Sequence, residues 1–223
     1  MEYIMKLDPK TINVMKNFSS INPSMIINEG NVLKTISPGK TVMAKANVPN
    51  SFPSRASIYN VNRFLSLLST FEEPEIKFND NGFLISDKSG QKNAPYNFAD
   101  ESTIKAPPEK EIVLPSTEVT FTLNTVNLAE IEKVLGILGL PDITVVGDGK
   151  EITLQAINSK EPNGDSVRRT IGTTDKVFCA VFKAENMKLM DGTYEVSVSS
   201  KGISHFKGDN VDYWIAVESG SSF

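Results

Sequence analysis

The chain has 223 residues but only one cysteine and one histidine. With a single thiol, Cys179, no intramolecular disulfide can form, and one imidazole beside it leaves a zinc site almost without ligands. No apolar run approaches the ~20 residues that a membrane helix requires. The N-terminus lacks the basic-then-apolar order of a secretory signal, so the expected compartment is the cytoplasm. An excess of positive charge is missing too. Lys and Arg number 23 against 27 Asp and Glu, a formal charge of −4. That argues against a conventional tight nucleic-acid binder, whose affinity rests on many phosphate contacts. The apolar fraction of 39% is modest but enough for buried cores, and the length suits one large domain or two smaller ones.

Reactive constellations are scarce as well. His205 alternates with Ile203 in a strand-like run, and no Ser/His/Asp spacing surrounds it, so it reads as a half-exposed strand histidine. Cys179 sits in VFCAVF, where a small buried hydrophobe is expected; a nucleophilic thiol would want basic neighbours. The triplet GKT at Gly39 to Thr41 imitates a phosphate loop. That motif needs a glycine where Lys34 stands and a helix where TVMAKANV reads as strand. Asp148, Asp209 and Asp212 are turn or loop carboxylates without calcium-loop spacing. A binding or assembly protein is expected rather than an enzyme, with no catalytic residue, no metal and no cofactor.

What the chain does have is repetition. Four times a short amphipathic helix candidate runs into a strand, a turn and a second strand. The turns are NEGN (Asn28 to Asn31), NDNG (Asn79 to Gly82), GDGK (Gly147 to Lys150) and SSKG (Ser199 to Gly202). The helix candidates span 6–18, 58–71, 126–139 and 183–190. In the first, Leu7, Thr11, Val14, Met15 and Phe18 share an apolar face, with Asp8 as N-cap and Pro9 opening the helix. Val61, Phe64, Leu68 and Phe71 make the second stripe, and Leu128, Ile131, Leu135 and Leu138 the third. EIKFNDNGFLISD alternates with period two on both sides of its turn, the strongest hairpin signal present.

Between Lys105 and Ser116 the texture changes to KAPPEKEIVLPS, whose prolines suit neither a helix nor a central strand. The expected organisation is a first domain over 1–105, a connector over 106–116 and a second domain over 117–223. Each domain would hold two helices on antiparallel sheets, an α+β class. Charge is unevenly spread. The four helix candidates carry formal charges of +2, +1, −1 and +1, which leaves −7 on everything else.

Several stretches taken in order resemble the sliding clamps of DNA replication, specifically those of T4-type phages. They are MKL followed by a helix, KNFSSIN with its turn, IYNVNRFLSLLS with its hairpin, the Pro-rich connector, and NMKLMDGTYEVSVSSKG near the end. The similarity runs from Met5 onward; Met1 to Ile4 precede the family's usual start and read as a start-site choice or a disordered extension, and the match is less clear between Asn158 and Val177. The resemblance implies a DNA-clamp fold and a protomer that closes, as a homotrimer, into a ring around duplex DNA, with helices lining the hole. It implies partners as well: the replicative DNA polymerase, which the ring tethers, and a separate ATP-dependent clamp loader. It further implies support of late transcription and action in the cytoplasm of an infected bacterial host, without a cofactor, a catalytic residue or a membrane.

Carried onto this chain, the resemblance places Lys6, Lys10, Lys16, Arg63, Lys133 and Lys188 toward the DNA. Weak, mobile phosphate contacts suit sliding, because escape would require opening an interface rather than breaking those contacts. Subunits of such rings join edge strand to edge strand. The segments Ala94 to Thr103 and Ser166 to Gly172 take that place, with Ala94, Phe98, Val167, Arg168, Arg169 and Ile171 at the contact. Ile112, Val113 and Leu114 are the expected rim of a pocket for partner peptides. The competing reading is a phage structural or assembly protein built from repeated β-rich modules; an enzyme's regulatory subunit is a third.

Overall fold

In a computed structural model describing residues 4–161 and 163–223, the chain divides into two units, Met1–Glu109 and Lys110–Phe223. The division falls inside the proline-rich stretch. Of the expected N-terminal extension, Met1 to Tyr3 lie outside the described residues, while Ile4 pairs with Lys77.

The first unit begins with β1 (Ile4–Met5) and α1 (Pro9–Ile21). Asp8 caps α1 by accepting from Lys10 N at 2.8 Å, and Pro9 takes the first helical position, where no N–H is needed. Asn50 ties the entry down, accepting from Asp8 N and donating to Lys6 O. β2 (Met25–Ile27), β3 (Gly30–Ile36), β4 (Val42–Phe52) and β5 (Ala56–Ile58) follow, then α2 (Val61–Leu68), capped by Asn60. β6 (Glu75–Asn79), β7 (Gly82–Ser86) and β8 (Asn93–Asn97) complete the unit. One antiparallel sheet runs β1-β6-β7-β8, and the helices cover a core of Met15, Phe18, Phe64, Ile76, Phe83 and Ile85.

The second unit contains β9 (Val119–Asn124), α3 (Thr125–Leu138), β10 (Asp142–Asp148), β11 (Glu151–Ile157), β12 (Ser166–Thr173) and β13 (Val177–Lys183). It ends with β14 (Thr193–Ser199), β15 (Ile203–Lys207) and β16 (Val211–Ala216). Its strands pair in the orders β12-β11-β10-β13 and β16-β15-β14-β9. α3 stops at Gly139, whose φ of +65° is the left-handed cap that a glycine adopts without steric cost.

Two expectations need correction. Among the described residues there are three α-helices, not four: the stretch 183–190 forms only a 3-10 turn, Ala184–Asn186. A stretch this short forms a helix only where packing favours it, as in α2, and other partners claim the backbone here. Met190 N donates to Tyr213 Oη at 3.0 Å, and Tyr194 Oη donates to Met190 O at 2.7 Å. The second correction concerns NEGN, which is not a hairpin turn. β2 pairs with β5 and β3 with β4, so the hairpin of that region turns instead at Ser37 to Thr41, where the Ser37 hydroxyl accepts from the N–H groups of Thr41 and Val42. The other three turns join β6 to β7, β10 to β11 and β14 to β15.

Candidate nucleic-acid interface and open strand edges

α1 buries Thr11, Val14, Met15 and Phe18 and leaves Lys10, Asn13, Lys16 and Ser20 exposed along one side. α2 lies beside it, joined by the Ser19 hydroxyl, which donates to Asn62 Oδ1 at 2.7 Å. Arg63, next in sequence, is exposed, and its own N–H is held by Asn60 Oδ1 at 2.8 Å. Lys10, Lys16 and Arg63 have no ion-pair partner among the described residues, so their charge is available to an external anion. The groove between the helices measures about 600 Å³; Leu7, Ile12, Leu65 and Phe71 line it together with Lys16 and Asn62. The sequence reading did not single out this groove, since it arises only when two helices pack side by side.

Lys6 is differently placed. It follows β1 rather than belonging to α1, and its ammonium lies 3.0 Å from Glu73 and 3.8 Å from Glu75. The Lys6 hydrogen bond and charge, helped by Lys88, hold the Glu73 carboxyl below its usual range. In the second unit, Lys133 is exposed on α3 but stands among acids. Glu130 on the same helix is bonded by Arg169 of β12. Glu132 is half-buried; burial raises its pKa, and the nearby positive charge of Lys188 opposes the shift. Lys188 therefore faces a carboxylate of α3, from an irregular segment rather than from a helix.

The sheet edges are unequal. β8 and β12 each end a sheet and have no strand on their outer side among the described residues. The outer edge of β13 is closed by residues 218–222 of the same chain. Cys179 and Ser222 exchange two backbone bonds of 2.9 Å, Glu218 N donates to Val181 O, and Val181 N donates to the Ser221 hydroxyl.

Along β8 the side chains of Ala94 and Tyr96 are half-buried, the latter against Phe64, while Asn93, Pro95 and Asn97 are exposed. Phe98 lies one residue beyond the strand, its ring packed edge-on against Phe83 at 4.8 Å. The expected strand to Thr103 ends early: Asp100 caps a 3-10 turn, Glu101–Thr103, whose Glu101 pairs with Arg55. On β12, Arg168 and Arg169 are exposed and Val167 half-buried, while Ile171 lines a shallow cavity with Phe121 and Ile152.

Val113, at 81% exposure, is the most prominent apolar residue of the connector, flanked by half-buried Ile112 and Leu114. The groove of about 460 Å³ that the connector borders in the first unit is lined by other residues: Ile26, Val32, Lys34, Arg55, Pro107 and Pro108 among them. Arg55 stands 27 and 46 residues from its partners Asn28 and Glu101, a separation that leaves no local signal.

His205 stacks on Trp214, with ring centroids 4.7 Å apart, and its Nε2 is 3.4 Å from Asp212. Burial lowers its pKa, and the charge of Asp212 opposes this. The Cys179 thiol is pushed up by burial, the opposite of what a nucleophile needs.

Residues 6–106 match a family model described as DNA polymerase processivity factor, and residues 120–219 one described as gp45 sliding clamp, C terminal. The chain is 31% identical over 222 residues to a sliding clamp of Vibrio phage KVP40, covering 96% of this chain and 99% of that one. It is 29% identical to the sliding clamp of Escherichia phage RB69, covering 98% and 99%. Among solved structures, the proliferating cellular nuclear antigen of Entamoeba histolytica superposes with a TM-score of 0.69 at 16% identity, over 97% of this chain and 98% of that one. That likeness shows the fold.

Proposed function

Since the chain belongs to the sliding clamps of T4-type phages, non-catalytic DNA polymerase processivity factors, we propose that three copies close into a ring around duplex DNA. The family partners with DNA and DNA polymerase. In this chain the ring would tether the replicative polymerase while sliding on the duplex without regard to sequence. A separate ATP-dependent loader would open and close it, in the cytoplasm of the infected host.

The observation that carries the ring is the asymmetry of the strand edges. An open edge is a pairing template and a hazard, and proteins close, shorten or charge such edges. This chain closes β13 with its own residues 218–222 and leaves β8 and β12 open at the ends of their sheets. Joining β8 of one copy to β12 of the next is a head-to-tail contact, which closes when the rotation per copy divides a full turn. The unpaired charges on α1 and α2 suit the inner wall. Lys10, Lys16 and Arg63 would attract phosphates through mobile, solvated contacts, each releasing roughly one counterion. Lys6 sits among Glu73 and Glu75 and would contribute little; Lys133 and Lys188, among Glu130 and Glu132, would contribute less than the first helices. For partner peptides, the exposed Val113 with Ile112 and Leu114 is the proposed rim.

Topology supplies the test. Clamp loaded onto nicked circular duplex is expected to persist, and to be lost from linear duplex with free ends. Equal retention on both would mean ordinary binding. Light scattering on the purified chain is expected to show a discrete particle of about three protomers.

A further inference from the structure

We infer that Pro95 removes a backbone donor from the seam between copies and thereby sets how readily the ring parts; this rests on the ring reading above. Bonds at the two ends of β8 fix the direction of every backbone group on it. Phe98 N donates to Asn81 O at 2.9 Å, and Asp87 N to Lys92 O at 3.1 Å. The register pairs Phe83 with Tyr96 and Ile85 with Ala94. An antiparallel ladder alternates, so Ala94 and Tyr96 turn their N–H and C=O toward β7, and Asn93, Pro95 and Asn97 turn theirs to the open edge. Proline in that place costs the protomer no ladder bond, which is why an edge tolerates it. Whatever pairs with the edge bears the loss.

The outward residues of β12 are fixed in the same way. Gly149 N donates to Lys176 O and Thr174 N to Lys150 O, each at 3.0 Å. Followed through the registers of β13, β10, β11 and β12, these bonds turn Ser166, Arg168 and Thr170 outward. An antiparallel union of the two edges therefore sets three outward residues against three, with Pro95 opposite Arg168 in the middle. The outer pairs can each exchange two bonds. The middle pair can make only one, and the Arg168 carbonyl is left facing a pyrrolidine ring. Sliding the strands by two residues moves the proline off centre, to the start of β12 or to the irregularity near Ile171, but shortens the seam. In each register the contact is weaker than two strands of this length could make, which suits a ring that must open for loading.

The test uses the purified full chain. Pro95→Val restores the N–H on a residue suited to a strand. One added net hydrogen bond at each of three seams predicts dissociation of the oligomer at an about three- to fortyfold lower concentration, read by sedimentation on dilution. Residence on nicked circular duplex should lengthen in step. Asn97→Pro deletes an outward donor without touching the β7 ladder and is expected to act in the opposite direction; it carries the test should P95V fail to fold. A wild-type trimer whose dissociation is the same in both variants would overturn the inference while sparing the ring. Open-ended aggregates of P95V would overturn it too, making the proline a guard against aggregation. A wild-type chain that stays monomeric at every concentration would sink the ring reading, and this inference with it.

Discussion

Lys183 donates to Asp142 Oδ1 at 2.6 Å, and the two residues are also register partners where β13 ends and β10 begins. The Asp142 side chain is 1% exposed, yet its carboxyl lies below the usual range. Burial pushes it up, but the hydrogen bond from Lys183 and those from the Ser159 N–H and hydroxyl more than offset that. Asp142→Ala would leave a cation and two donors without an acceptor. Losing one partner of a fully buried pair costs about 3–5 kcal/mol; with the Lys183 side chain 33% exposed, about 2 kcal/mol is expected. Urea unfolding of the variant measures it, and a loss within error of zero would show that solvent already screens the pair.

The same pair predicts the acid limb of stability. A carboxyl depressed in the folded state contributes fully above its unfolded pKa of about 3.9. That contribution is lost as pH falls through the folded value, because protonation then favours the unfolded chain. Wild type should therefore lose stability more steeply than Asp142→Asn below about pH 4. Parallel stability curves for the two proteins would mean that Asp142 titrates alike folded and unfolded.

Charge reversal on α1 separates binding from folding. Lys10 and Lys16 are exposed and make no ion pair among the described residues, so Lys10→Glu with Lys16→Glu should alter unfolding free energy by no more than about 0.5 kcal/mol each. Polymerase processivity on a long template should fall, and the gap to wild type should narrow as salt rises, since screening weakens both the lysine attraction and the glutamate repulsion. Lys6→Ala serves as the contrast. Its charge is engaged by Glu73 and Glu75, and processivity should stay near wild type. Equal loss in both proteins would place Lys6 beside the DNA with the others.

The elements that sequence made legible are those whose signals are local. Asp8-Pro9 starts α1 by capping chemistry, and NDNG turns β6 into β7 because both flanking strands alternate with period two. NEGN misled because a turn signal says that the chain bends, not which strand it bends toward; β2 finds β5, about thirty residues on. The stretch 183–190 has helical spacing, but two tyrosine hydroxyls take its backbone at Met190, Tyr194 from four residues on and Tyr213 from a strand 23 residues on, and such side-chain bonds leave no periodic signal. Lys6 looked like a helix-face lysine until Glu73 and Glu75 arrived from β6 and the turn before it. Pairings of that range are set by the tertiary fold, and so the open edges at β8 and β12 could be inferred only through resemblance.

Those tyrosines give a further prediction. Burial raises the Tyr213 hydroxyl far above its ordinary pKa and pushes Tyr194 up to about 12. Both rings are fully buried. Tyr213→Phe strands the Met190 N–H, and Tyr194→Phe strands its carbonyl, each at about 1–2 kcal/mol. If the tyrosines hold 187–190 out of a helix, hydrogen exchange at Met190 should quicken in Tyr213→Phe well beyond the change in global stability. Exchange that merely tracks the global loss would assign them a packing role alone.

The closed edge of β13 can be reopened. Deleting residues 219–223 removes the Ser221 and Ser222 partners of Val181 and Cys179 and bares two N–H groups and a carbonyl along the strand. An uncovered edge flanked by exposed Val177 is a template for another chain, so the truncated protein should form species larger than a trimer at concentrations where wild type does not. Cys179 reports on the same event from within. Its thiol is held protonated by burial, and exposure should raise its thiolate fraction and its access together. Labelling by a disulfide reagent is therefore expected to run several-fold faster after truncation, roughly in proportion to the regained ionisation. If labelling accelerates without aggregation, the segment shields the thiol but does not guard the edge, and the contrast between β13 and the open edges of β8 and β12 loses its force as an argument for head-to-tail closure.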